Sequence, residues 1–174
     1  SCQVTKEKDK EFKPKNTQEA QKACSELEKQ NFKISSIDVK NNTSNPSAPF
    51  ITSTLQQNAS VRLGFNIKRT MMLAQKLYEA GYITYMRTDS TNLSNEAVEN
   101  CRDYIKNNFG NKYLPVSPNV YSKNKTSQEA HEAIRPTDIS NSASTIESHL
   151  DKDCSRLYKL IWNQLLASQM SPAK

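Results

Sequence analysis

A chain of 174 residues carrying a net charge of +6 and a mean hydropathy of −0.80 can bury one ordinary core, and a second only if that one is incomplete. No apolar run approaches the roughly 20 residues that cross a bilayer and no basic-then-apolar leader opens the chain, so the expectation is a soluble, intracellular protein with no membrane partner. Cys2, Cys24, Cys101 and Cys154 are scattered without a Cys-x-x-Cys pair, which argues for free thiols in a reducing compartment and against a zinc knuckle.

Charge is unevenly placed. Residues 1–50 hold nine Lys/Arg against seven Asp/Glu, residues 51–125 ten against five, and residues 126–174 five against six. A basic surplus in the middle suits contact with a phosphate backbone and equally suits plain solubility.

In chain order, residues 1–15 are charged and extended or frayed. Asn16 can cap a helix, with Glu19 at the reciprocal capping position, and Ala20, Ala23, Cys24 and Leu27 recur at helical spacing to about Gln30. Phe32, Ile34, Ile37 and Val39 alternate partly, which predicts a strand over Phe32–Lys40. The polar connector Asn41–Ala48 marks a domain boundary. Thr52 can cap a helix bearing Leu55, Ala59 and Leu63 that stops at Gly64, and Asn66 one bearing Ile67, Met71, Ala74 and Tyr78 that stops at Gly81. Ser94 starts another through Val98, Cys101 and Ile105. Tyr113–Thr126, with Pro115 and Pro118, reads as an exposed excursion. The last helix, about Asp153–Met170, is apolar on two sides (Leu157, Ile161 and Leu165; Tyr158, Trp162 and Leu166), which implies burial on more than one side.

The stretch Tyr82-Ile83-Thr84-Tyr85-Met86-Arg87-Thr88-Asp89-Ser90-Thr91-Asn92-Leu93 carries the chemistry. On an extended strand Tyr85, Arg87 and Asp89 share one face. A phenol titrating near pH 10 is a poor nucleophile at neutral pH, and an adjacent cation stabilises both phenolate and attacked phosphate. The spacing alone also suits a β-propensity strand with a surface ion pair.

The flanking blocks are Pro49-Phe50-Ile51-Thr52-Ser53-Thr54-Leu55-Gln56-Gln57 and Gln128-Glu129-Ala130-His131-Glu132-Ala133-Ile134-Arg135-Pro136-Thr137. With the tyrosine segment they closely resemble type IA DNA topoisomerases, specifically the bacterial topoisomerase I group. The resemblance runs through Leu157–Lys174 and, more loosely, back to about Phe12. It implies a mainly α fold (α+β overall). Residues 1–45 would be a partial, β-rich arch domain with few strands and an unpaired edge. Residues 46–171 would be a helical, winged-helix-related domain carrying the catalytic tyrosine, and 172–174 the start of a return to the arch.

The resemblance also implies roles. Tyr85 matches the nucleophile that attacks a DNA phosphodiester, and Arg87 the cation that engages phosphate oxygens in the transition state. Asp89 lies at the acidic position and would orient Arg87 or a histidine. His131 matches the histidine near the scissile phosphate; the other reading is a loop histidine capped by Glu129 or Glu132. Arg135 touches the DNA backbone or pairs with Glu132. Thr52, Ser53, Thr54 and Gln56 bind phosphate or a base edge, or serve as N-cap and first-turn residues. Lys68 and Arg69 are further phosphate-contact candidates. His149 has no motif around it.

The family's cleavage also needs a TOPRIM domain that supplies a carboxylate beside the tyrosine and holds Mg²⁺. This chain has no corresponding Glu and Asp-x-Asp-x-Glu set, so no metal residues are assigned and Mg²⁺ is expected only through that domain of a full-length protein. The resulting expectation is a fragment of a cytoplasmic, nucleoid-associated bacterial isomerase. As a monomer working on single-stranded or underwound DNA with the remaining domains of the same topoisomerase, the whole would relax negative supercoils through a 5′-phosphotyrosine. The fragment would be inactive alone. The alternative is a helix-turn-helix-type DNA-binding module, built on the two short helices around Gly64, with no chemistry.

Overall fold

The computed structural model describes residues 3–7, 9–34, 36–121 and 131–173. Gln128, Glu129 and Ala130 of the third motif block, and residues 122–126 of the proline-containing excursion, lie outside the described residues. The chain divides into two units, Ser1–Lys40 and Asn41–Lys174.

The first unit is small and open. Strands β1 (Lys6–Glu7) and β2 (Lys10–Glu11) pair antiparallel, setting Lys6 opposite Glu11 and Glu7 opposite Lys10. Opposite charges facing across a ladder favour this register, and Asp9 takes the left-handed conformation (φ 64°) that the turn needs. Helix α1 (Thr17–Leu27) begins as its sequence predicts, the Asn16 side chain accepting the Glu19 N–H at 2.8 Å. The Glu19 carboxylate reaches one residue further back than the capping box expects, accepting from the Lys15 N–H at 2.8 Å. No residue of α1 is buried.

The strand expected over Phe32–Lys40 is not formed. Phe32, Ile34, Ile37 and Val39 are 77%, 81%, 75% and 84% exposed. Alternating side chains favour an extended backbone, but a strand exists only when a partner takes up its N–H and C=O groups.

The second unit is organised around its last helix. Helix α2 spans Thr52–Leu63, α3 Ile67–Glu79, α4 Asn95–Phe109 and α5 Lys152–Gln169, and α5 packs against the other three. Its two apolar sides are both covered, as the sequence predicts: Leu157, Tyr158 and Ile161 are fully buried, and Leu165, Leu166 and Trp162 nearly so. Each large apolar side chain contributes roughly 1.5–3 kcal/mol relative to exposure. The polar ends of the buried aromatics are satisfied. Tyr158 Oη donates to the Asn141 carbonyl at 2.6 Å and Trp162 Nε1 to the Ile139 carbonyl at 3.0 Å. Cys101 and Cys154 behave as small core residues, and burial pushes their thiols up to about 12 and about 11.

The helix boundaries follow local chemistry. Gly64 (φ 72°) closes α2 in a left-handed turn in which its N–H bonds Ser60 O and the Phe65 N–H bonds Ala59 O. Asn66 and Ser94 cap α3 and α4 by accepting from Arg69 N–H and Ala97 N–H. Two expectations shift. The buried stripe of α3 is Thr70, Leu73, Ala74 and Leu77, leaving Ile67 and Tyr78 exposed, because the stripe through Leu73 and Leu77 packs on α5 better than the one through Met71 and Tyr78. Thr52 is not the cap of α2: Ile51 occupies that position, and its N–H is taken by the Thr54 hydroxyl at 3.0 Å.

Tyr113–Tyr121 leaves Val116 and Val120 exposed, yet it is held to the end of α5. Asn119 Nδ2 donates to Ser168 O at 2.9 Å and Tyr121 Oη to the same carbonyl at 2.8 Å. Ser44 and Ala173 form an antiparallel bridge with bonds of 2.9 and 3.0 Å in both directions. Among the described residues, five α-helices against two very short strands make the fold mainly α.

Candidate active site

Three stretches distant in sequence meet in the second unit. The Ile134 N–H donates to Phe50 O at 2.8 Å, the Thr84 N–H to Arg135 O at 2.9 Å, and the Thr137 N–H to Tyr82 O at 3.1 Å. Residues 131–137 are therefore threaded between the start of α2 and the segment after Gly81, with isolated bridges Phe50–Ile134 and Ile83–Pro136. Buried Phe50, Ile83, Met86 and Ile134 anchor the crossing in the core.

Tyr85, Arg87 and Asp89 do not lie on a strand, contrary to the sequence expectation. The backbone bends at Thr84 and again at Met86–Arg87, and its polar groups are taken by single backbone bonds to residues 52 and 135 and by the Thr52 hydroxyl instead of a continuous ladder. The alternation survives without the ladder: Tyr85, Arg87 and Asp89 are exposed, whereas Met86 and Ser90 are buried. Met86 in the core and the bonds to Thr52 impose that inward–outward order. The Thr52 hydroxyl lies 2.8 Å from Met86 O and 3.0 Å from Thr88 O and accepts the Thr88 N–H at 2.9 Å.

Arg87, Asp89, His131, Ser53 and Gln56 line one open groove of about 450 Å³. Tyr85 stands at 49% exposure, its ring edge-on to Tyr78 with centroids 5.2 Å apart. Among the described residues no carboxylate pairs with Arg87; the ion pairs fall elsewhere. The guanidinium is thus a cation exposed beside a hydroxyl-rich helix start, an arrangement suited to an anionic ligand. Among the described residues Asp89 is the one carboxylate that lines the groove, and no group of three His, Cys, Asp or Glu can hold a metal. These residues do not fit a divalent-cation site of their own.

The remaining candidates fall in other settings. The Arg135 guanidinium is 15% exposed, pairs with Glu132 at 2.7 Å and donates to Pro136 O at 2.9 Å. Glu132 Oε1 also accepts the Ser94 N–H at 2.7 Å. Burial would raise the Glu132 carboxyl, but the hydrogen bonds from Arg135 and Ser94, with the guanidinium charge, hold it below the usual carboxylate range. The Arg69 guanidinium pairs with Asp153 and sits 5.0 Å over the Phe65 ring, which Arg156 flanks at the same distance. Nine residues of helix, about 14 Å, separate Arg69 from Tyr78 along α3. Lys68 is exposed beside it. The Thr54 hydroxyl is engaged at the start of α2. Tyr78 and Thr84 were not singled out by the sequence reading. Tyr78 fitted an apolar stripe, and a threonine within a short apolar run carries no signal of the long-range bonds it makes.

Comparison with known proteins shows the family to which these three blocks belong. The DNA topoisomerase family matches residues 1–174, and the chain belongs to that family. More particularly, it is similar to bacterial DNA topoisomerase 1. That of Escherichia coli K12 is 58% identical over 174 residues, covering 100% of this chain and 20% of its own. That of Haemophilus influenzae is 57% identical over 171 residues, covering 98% and 20%. The full-length topoisomerase I of Thermotoga maritima superposes with a TM-score of 0.69 at 36% identity, covering 96% of this chain and 27% of that one. The chain thus spans about a fifth of the length of the curated relatives it matches.

Proposed function

We propose that this chain is the part of a bacterial type IA topoisomerase that supplies the strand-cleaving nucleophile. The observation that supports the reading is the convergence of the blocks containing Thr52, Tyr85 and His131, which brings Arg87 and His131 into one groove, while the exposed Tyr85, two residues before Arg87, stands outside that groove's lining. In the reaction the Tyr85 oxygen, losing its proton, attacks the phosphorus of a DNA phosphodiester. The P–O3′ bond breaks, and the 3′-hydroxyl leaves with a proton. The 5′-phosphotyrosine conserves the bond energy until that hydroxyl attacks in reverse.

Arg87 neutralises charge on the non-bridging oxygens, and its planar fork can engage two of them. His131, which lines the same groove, donates to the phosphate, and Asp89 sets the orientation of the groove's cation or imidazole. Ser53 and Gln56 are the groove's neutral donors for the flanking backbone. Arg135, held by Glu132, supports the loop that presents His131. The substrate is single-stranded or underwound DNA. In the whole protein a TOPRIM domain with Mg²⁺ would supply the missing carboxylates, and strand passage would relax negative supercoils.

The second reading, a DNA-binding module without chemistry, draws on α2 and α3 packing against each other across the Gly64 turn. Incubating the full-length protein with a single-stranded oligonucleotide, followed by peptide mapping, separates the two. A nucleotide adduct on Tyr85 supports the enzyme reading, and binding with no adduct supports the module.

A further inference from the structure

The bonds around Tyr85 are asymmetric in sequence but symmetric in effect. On its N-terminal side, Thr84 is tied to the His131 loop by three bonds. Its N–H donates to Arg135 O at 2.9 Å, its hydroxyl donates to Ala133 O at 2.7 Å, and the same hydroxyl accepts the Arg135 N–H at 3.0 Å. On the C-terminal side, Thr52 binds Met86 and Thr88. Its N–H donates to Thr88 O at 2.9 Å, and its hydroxyl receives the Thr88 N–H while facing the Met86 and Thr88 carbonyls. Between the two knots stands one exposed residue, Tyr85.

A hydroxyl has one proton to donate. For Thr52 that proton lies between two backbone carbonyls, and for Thr84 it lies on Ala133 O. Neither is left with a donor for a phosphate oxygen, which itself only accepts. Thr52 sits at the edge of the groove yet cannot serve it as a donor without releasing the segment that carries Arg87. A one-turn element with no strand ladder gains its rigidity from such bonds, and a reacting group misplaced by about 1 Å can lose on the order of 10²-fold in rate.

We infer that Thr52 and Thr84 are positioning residues, whose hydroxyls clamp the backbone on either side of Tyr85 and so fix the nucleophile and Arg87 against the His131 loop. The inference rests on the reading of Tyr85 as the nucleophile. It moves Thr52 from a DNA contact to a support of the residues that make one.

The test uses the full-length protein and the variants Thr52→Val, Thr52→Ser, Thr84→Val and Thr84→Ser. Three quantities are read. They are single-turnover adduct formation on a single-stranded oligonucleotide with Mg²⁺, non-covalent affinity for the same oligonucleotide in a Tyr85→Phe background, and backbone hydrogen exchange in DNA-free peptides covering residues 84–90. The valine variants, which keep shape and lose the hydroxyl, should form adduct on the order of 10²-fold more slowly, with affinity held within about twofold and faster exchange. Retained affinity shows that the variants are folded. The serine variants should recover most of the rate. Affinity falling in step with rate makes the hydroxyls DNA contacts and overturns the inference; so does an unchanged rate, or a serine variant that fails to recover. Absence of any adduct in the unsubstituted protein instead sinks the nucleophile reading. Exchange then still decides the clamp, which is refuted if the valine variants exchange no faster.

Discussion

The ring of Tyr85 meets that of Tyr78 edge to face, with centroids 5.2 Å apart and planes inclined by 64°. The contact ties a side chain on an irregular segment to the C-terminal end of α3, whose opposite face is buried through Leu73 and Leu77. The phenol therefore has a fixed wall on one side while remaining about half exposed. An aromatic pair of this kind contributes about 0.5–1.5 kcal/mol beyond its buried area.

Because that contact uses the ring and not the hydroxyl, Tyr85→Phe should leave stability within about 0.5 kcal/mol of the unsubstituted protein. It should abolish the covalent adduct. Urea titration and denaturing-gel detection of labelled oligonucleotide check the two halves; an adduct surviving in Tyr85→Phe would place the nucleophile elsewhere.

Arg87→Lys keeps the charge and loses the fork. Removing one preorganised transition-state donor typically costs roughly 2.7–4 kcal/mol, so cleavage by the full-length protein should fall on the order of 10²–10³-fold with little change in oligonucleotide affinity. Equal losses in both would make Arg87 an ordinary backbone contact.

Glu132 predicts a pH dependence. Its folded pKa is held below the usual carboxylate range, so its contribution to stability is present above the unfolded value and is lost as pH falls through the folded one. The carboxylate is partly exposed, and screening limits its worth to about 1 kcal/mol. Glu132→Gln should destabilise by that amount at neutral pH and flatten the stability profile in the acid window. A profile parallel to the unsubstituted one would show that Glu132 does not report on folding.

Leu157 is fully buried in the N-terminal part of α5. Leu157→Ala should cost about 2–5 kcal/mol, read as an earlier urea midpoint. A loss below 1 kcal/mol, to be judged against the cavity rule, would mean that the site collapses around the smaller side chain.

The 174-residue chain purified alone, with Mg²⁺ present, should neither relax plasmid DNA nor cleave single strands, since its sequence has no Asp-x-Asp-x-Glu set and, among the described residues, no metal-holding carboxylate cluster. Relaxation by the isolated chain would show that the chemistry needs no metal-binding partner domain.

Much of the architecture was legible because it is local. Asn16, Asn66 and Ser94 cap their helices with the atoms their positions predict, and Gly64 takes the backbone angle that only a turn requires. Where two apolar stripes compete, as on α3, periodicity cannot choose between Leu77 and Tyr78; the packing on α5 does. The alternation over Phe32–Lys40 is a real pattern but not a strand, because pairing is a property of two segments. The convergence of the three blocks was inferred from resemblance. The bonds that achieve it, through Thr52 and Thr84, are long-range side-chain contacts that leave no periodic trace.

The Ser44–Ala173 bridge sets the way into the helical unit beside the way out, with Cα atoms roughly 5.5 Å apart as in any hydrogen-bonded antiparallel pair. Residues 45–172 are thereby closed into one loop whose two ends lie side by side. A pull on either end therefore loads the two bridging hydrogen bonds, at 2.9 and 3.0 Å, before it reaches the helices.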